Sequence, residues 1–190
     1  RQVTLKNGSS IMYDTTAFNL TMMYGLPAVT VPKDIESNLE PWKAPSTVIN
    51  IDDTAVMWLV DGTDDRSVSF AARLMEQDVQ VRIIDKDSSL SGHNLSRGSV
   101  VVIAMDNPAF KDLHLAVNST ALSLDLSVVS IESGFGSEEL PDWGGRHFRL
   151  LERPQIAILS HEGFSSYDVG VSWWSLDHHL GIRHSQLNSS

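Results

Sequence analysis

Gly98–Met105 reads Gly-Ser-Val-Val-Val-Ile-Ala-Met, and Ala55–Val60 reads Ala-Val-Met-Trp-Leu-Val. Each is a short, continuous apolar run, the pattern of a strand buried on both faces. Outward from these two, strand and helix signals alternate. Asp61–Asp65 is a turn, with Asp64 or Asp65 placed to cap a helix in which Val68, Ala71, Ala72 and Met75 recur at helical spacing. Val79, Val81 and Ile83 alternate as in a strand, and Pro108 precedes a helix over residues 109–123. Strands are expected at Thr47–Ile51, Leu126–Ile131 and Gln155–Ser160, with a long loop over residues 132–154. Ser165–Leu180 is expected as a helix with Gly181 at its C-terminal cap, and Ser185–Leu187 as the start of a strand. Three β-α-β runs in succession predict an α/β fold with an open, mostly parallel, doubly wound sheet. The last strand looks cut short, so the domain over 46–190 is expected to be incomplete at its C-terminal end.

Residues 1–45 read as a connecting arm. The first thirteen residues are polar and extended in character, and Asp14 is a good N-cap for a helix near 14–24, with Phe18 and Met22 four apart on one face and Gly25 at its end. Pro27, Pro32, Pro41 and Pro45 then prevent regular structure. Phe18, Met22, Met23 and Trp42 would face either a partner surface or the chain's own domain. A start at Arg1 suggests an internal piece of a longer protein.

Composition narrows the function classes. With 190 residues, 42% hydrophobic, the chain can bury a core without staples, and the absence of cysteine excludes disulfides, thiolate metal sites and a cysteine nucleophile. The net charge of -10 and the lack of a Lys/Arg cluster argue against nucleic acid and anionic membrane surfaces. No apolar run approaches the roughly 18–20 residues that span a bilayer. Asn7, Asn19, Asn94, Asn118 and Asn188 open Asn-x-Ser/Thr triplets, read here as chance in a Ser/Asn-rich chain because Asn19 falls in the expected helix.

In a parallel open sheet, ligands bind beyond the carboxyl ends of the strands. Three such ends are readable: Asp61–Asp65, Asp106–Pro108 and Ser160–Asp168. The third holds His161, Glu162, Ser165, Ser166 and Tyr167, a proton shuttle, a carboxylate, two hydroxyls and a phenol leading into a helix N-terminus. These are the candidate ligand-binding residues, for an anion or other small ligand. The alternative is structural, with Ser165 as an N-cap and Asp168 completing a capping box. No Gly-x-Ser-x-Gly elbow is present, so covalent catalysis has no support and no catalytic residue is assigned. The acidic turn at Asp61–Asp65 lacks the spacing of a calcium loop and reads as a solvated turn. His93, His114, His147, His161, His178, His179 and His184 form no zinc motif, so no metal ligand is assigned. Trp173, Leu176 and Leu180 share one helix face and are expected to pack in the core rather than to stack on a sugar.

Two segments carry a resemblance. Tyr13–Leu20 (Tyr-Asp-Thr-Thr-Ala-Phe-Asn-Leu) with Met23-Tyr24-Gly25 resembles a segment that follows the catalytic domain in bacterial proteins of the zinc carboxypeptidase family. Arg153–Leu159, Ser165-Ser166-Tyr167 and Leu180-Gly181-Ile182 resemble the later part of those proteins, which is similar to class I glutamine amidotransferase-like domains and so implies a flavodoxin-like sheet. The resemblance implies a non-catalytic accessory region that supports or positions substrate for a peptidase domain outside this chain. Zinc would be held by that parent domain and no cofactor by this segment. The implied partners are the parent's catalytic domain and a peptide or small-molecule ligand, and the implied location is extracytoplasmic. The alternative is an independent ligand-binding module using the 160–168 loop. A hydrolase built on His161 and a serine ranks below both.

Overall fold

The computed structural model describes residues 5–6, 9–10, 27, 40–41, 52, 54–90, 92–133 and 145–188. The chain divides into two compact units, Arg1–Ala44 and Pro45–Ser190. In the first, β1 (Leu5–Lys6) pairs antiparallel with β2 (Ser9–Ser10). The helix expected near 14–24 and the strand expected at Thr47–Ile51 lie outside the described residues.

The second unit runs β3 (Met57–Val60), α1 (Arg66–Glu76), β4 (Val81–Ile84), β5 (Ser88–Leu90), β6 (His93–Leu95) and β7 (Val100–Ile103). A 3-10 turn (Ala104–Asp106), α2 (Leu113–Ser123), β8 (Val129–Ile131), β9 (Phe148–Leu150) and β10 (Ile156–Leu159) follow. The chain then forms α3 (Ser166–Trp174), which continues as a π-helical stretch over Ser175–Leu180, and β11 (His184–Leu187). The main sheet has the order β8-β3-β7-β4-β9.

The α/β character is as expected, but the main sheet is not mostly parallel. Every neighbouring pair in it is antiparallel. β3 and β4 do share a direction across α1, but β7 lies between them; β7 and β8 share a direction across α2, but β3 lies between them. The sheet is thus two interleaved split β-α-β units with β9 added at one edge, not a doubly wound, flavodoxin-like sheet. The cause is the link between β4 and β7. A parallel neighbour needs a crossover, usually a helix, whereas an antiparallel neighbour does not. Among the described residues of 85–99 there is no helix; the span carries the β5–β6 hairpin, with Gly92 at φ 80°.

Both faces of the sheet are buried, which explains the uninterrupted apolar runs of β3 and β7. On one face Trp58, Val60, Val81, Val100 and Val102 pack against Phe70, Ala71 and Leu74 of α1 and Leu113, Ala116, Val117 and Ala121 of α2. On the other, Met57, Leu59, Ile84, Val101, Ile103, Ile131 and Phe148 cluster with Leu95 of β6. Fully burying one such side chain stabilises by about 1.5–3 kcal/mol. The buried face of α1 differs from the expected stripe, since Val68 is 56% exposed while Phe70 and Leu74 are fully buried. Among the described residues no helix is long and apolar enough to cross a membrane.

β10, α3 and β11 form a separate β-α-β unit. β10 and β11 pair in parallel, Ile156 opposite His184 through Leu159 opposite Leu187, as a two-stranded sheet apart from the main one. Polar contacts tie this unit to α1. Ser69 Oγ donates to the His179 carbonyl (3.0 Å), and the Arg183 N–H donates to Glu76 Oε1 (3.2 Å). The guanidinium groups of Arg183 and Arg153 lie 3.0 and 3.8 Å from the Glu76 carboxylate. Gly181 closes the π-helical stretch at φ 72°, where a Cβ would sit 3.2 Å from the Arg73 side chain.

Candidate ligand-binding groove

The antiparallel order changes where a site can form. Val60 pairs with Val100 and Met57 with Ile103, so the carboxyl end of β3 lies beside the amino end of β7. The turns Asp61–Asp65 and Asp106–Pro108 therefore sit at opposite ends of the sheet, and the shared crevice expected of parallel strands does not exist. Each turn is engaged in local structure. Asp64 Oδ1 accepts the Arg66 N–H (3.0 Å) and its carboxylate grips the Arg66 guanidinium, which holds its pKa below the usual value. Gly62 is required by contact, since a Cβ there would lie 2.4 Å from the Gly98 carbonyl carbon and the Ser99 nitrogen. Asp106 takes two hydrogen bonds from the Arg82 guanidinium (2.6 and 2.9 Å), and the buried Asn107 amide bonds the backbone of Gln80 and Ile103.

The 160–168 loop does adjoin a groove. It has a volume of about 320 Å³ and is lined by Ser160, His161, Phe164, Ser166, Val169, Gly170, Trp173 and Gln186. Of the candidate residues, His161 and Ser166 line it, whereas Glu162, Ser165 and Tyr167 do not. Ser165 is the N-cap of α3, its Oγ accepting the Asp168 N–H at 3.4 Å. Tyr167 points to solvent, 85% exposed.

Four lining residues, Ser166, Val169, Gly170 and Trp173, follow i, i+3, i+4, i+7 spacing and form one stripe along α3. That stripe is legible in the sequence. It was missed because Trp173 was expected in a core, and no residue of α3 is buried. Likewise Gln155–Ser160, expected as a buried strand, leaves Leu159 49% exposed. Gly170 is one of the residues lining the groove. It is exposed in mid-helix, and a Cβ built there meets nothing within 4 Å. No packing contact therefore calls for glycine at this position.

His161 is held in place by two contacts. Its Nδ1 lies 2.7 Å from the Glu162 carbonyl, which only accepts, so Nδ1 is the donor of that bond. The Phe164 ring packs edge-on against it, with centroids 4.6 Å apart. Further along α3, His178 meets Trp173 edge-on at 5.1 Å, while His179 stacks with Trp174 at 6.2 Å. Among the described residues no three His, Asp or Glu side chains converge on a metal position.

A second histidine arrangement escaped the sequence reading. His147 Nδ1 lies 2.8 Å from Asp85 Oδ1, and Arg149 Nε donates to Asp85 Oδ2 at 2.7 Å. Together they hold the Asp85 carboxyl below its usual pKa, the His147 bond first. The Asp85 N–H also donates to the His147 carbonyl (3.0 Å), just beyond the Ile84–Phe148 pair of the β4–β9 ladder. Asp85 and His147 lie 62 positions apart in sequence, with β9 inside what reads as a loop, so no local signal joined them.

The fold and the groove together define a two-layer α/β protein with an appended β-α-β unit that carries an open cleft lined by no Lys, Arg, Asp or Glu. Compared with known protein families, curated proteins and solved structures, the chain matches none.

Proposed function

We propose that this chain is a non-catalytic ligand-binding module that takes a small, uncharged ligand in the α3 groove. The observation that carries this reading is Gly170. A glycine in mid-helix costs about 0.5–1 kcal/mol relative to alanine, and here no neighbour requires it. Keeping the groove open gives it a purpose. Phe164, Val169 and Trp173 supply an apolar wall, while His161, Ser160, Ser166 and Gln186 supply hydrogen-bonding groups, as in small-molecule sites generally. The accessory role beside a zinc peptidase domain, suggested by the resemblance, would use the same groove to hold substrate. The antiparallel main sheet lends no weight to the amidotransferase part of that resemblance.

The test is a chemical-shift titration of the whole chain with neutral sugars, small carboxylates and blocked dipeptides. A binder is expected to move the resonances of Phe164, Gly170, Trp173 and Gln186, and Gly170→Leu, which fills the space above the helix, is expected to abolish the effect. Shifts that map elsewhere, or that survive Gly170→Leu, refute the reading.

A further inference from the structure

We infer that the ligand of this groove is an extended, uncharged peptide that adds a strand to β11 and drops an apolar side chain against α3; the inference rests on the groove being a binding site. Two independent observations converge on it. The first is the backbone of β11. Along a strand, successive residues turn their N–H and C=O groups to opposite sides. The Leu187 carbonyl accepts the Ser160 N–H at 2.9 Å, so Leu187 and Ser185 face β10. His184 and Gln186 therefore turn their N–H and C=O groups outward, to an edge with which no strand pairs among the described residues. Such an edge is a ready template for another chain, because main-chain bonding is available at every second residue.

The second observation is the position and chemistry of the groove. Gln186, whose backbone forms the free edge, also lines the groove, so the edge and the groove adjoin. In register with Gln186 on β10 is Ile158, a buried residue, so this face of the small sheet is the covered one. A strand laid along β11 would put alternate side chains on that same face, toward Phe164, Val169 and Trp173, with the space above Gly170 to receive one. The lining holds no Lys, Arg, Asp or Glu, which disfavours a charged side chain at that position. A neutral saccharide would suit the aromatic and hydroxyl groups but would leave the strand edge unused.

The experiment titrates the whole chain with a blocked pentapeptide, acetyl-Thr-Val-Thr-Leu-Thr-amide, and with two N-methylated twins, one methylated on the Val and Leu nitrogens and the other on the Thr nitrogens. Methyl glucoside serves as the saccharide probe. In a paired strand only one alternate set of N–H groups faces β11. The parent peptide and one twin are therefore expected to bind alike, while the other twin weakens at least about tenfold through loss of main-chain hydrogen bonds. Equal affinities of the two twins, retained or lost together, overturn the strand addition and leave the groove reading intact. Binding of methyl glucoside but not of the peptide also overturns it and leaves the groove reading intact. Silence of the groove resonances toward every probe overturns both.

Discussion

Replacing Gly170 with alanine separates the needs of the helix from those of the groove. Gly170 is the fifth residue of α3, in helical conformation, and nothing lies within 4 Å of the position its Cβ would take. The substitution therefore adds no clash and removes backbone freedom from the unfolded chain. The expected gain is about 0.5–1 kcal/mol. For a chain of this size that raises Tm by about 1–4 °C if unfolding is cooperative. If the β10–α3–β11 unit opens by itself, the gain appears instead as a roughly two- to fivefold slowing of amide exchange across α3. The two assays, calorimetry and hydrogen exchange, cover both modes. Gly170 lines the groove, so affinity for a ligand that contacts it there is expected to fall as stability rises. A loss of stability in Gly170→Ala would refute the reasoning, because it would mean that the backbone or a neighbour needs glycine there.

Gly62→Ala is expected to act in the opposite sense. Its Cβ would lie 2.4 Å from main-chain atoms of Gly98 and Ser99, which have no side-chain freedom with which to yield, and a loss of about 1–3 kcal/mol or more should appear in chemical denaturation. Arg82→Lys keeps the charge but loses the paired bonds to Asp106 and the bond to the Phe148 carbonyl; denaturant titration should report a loss of about 1–3 kcal/mol, and a neutral result would count against Arg82 as a tie from β4 to the 3-10 turn and β9. Acid stability should follow Asp64, whose folded pKa is depressed by Arg66. Its contribution is present above the unfolded value of about 3.9 and is lost as pH falls through the lower folded value, so Asp64→Asn should flatten the stability profile below about pH 4 while changing its shape little at neutral pH.

Element positions were legible because they depend on local pattern. The apolar runs at 55–60 and 98–105, the alternation at 79–84 and the cap and stop of the last helix all correspond to observed elements. Strand direction was not legible from those elements alone, because it is decided by what connects them. The decisive stretch was the polar Ser88–Leu95, where the β5–β6 hairpin, with Gly92 at positive φ, takes the place of a helical crossover between β4 and β7. Three-residue β9 was lost in a glycine-rich loop for a similar reason: Phe148-Arg149-Leu150 is too short to show a period, and only its pairing with β4 makes it a strand. For the site, the loop at 160–168 was found from its polar groups, but the α3 wall was not. Trp173 and Val169 are apolar, and apolar residues at helical spacing suggest a core unless exposure is known.

Hydrophobic pattern in residues 155–187 carries a different meaning from the same pattern in β3 and β7. Leu159 and Leu187 lie opposite each other on the small sheet, and each is 49% exposed. Tyr167, Val171 and Trp174 recur at i, i+4, i+7 on α3 and are 85%, 67% and 56% exposed. Single exposed apolar residues need no explanation, but aligned ones on a helix and a strand pair do. Conformational stability does not account for them, since a two-stranded sheet open on one face gains little from such side chains. The apolar residues of the main sheet thus specify the fold, whereas these exposed ones contribute little to it. On that view substitutions such as Val171→Ser and Leu187→Ser should leave the denaturation midpoint nearly unchanged, in contrast to the losses of about 2–5 kcal/mol that truncating a large core side chain incurs.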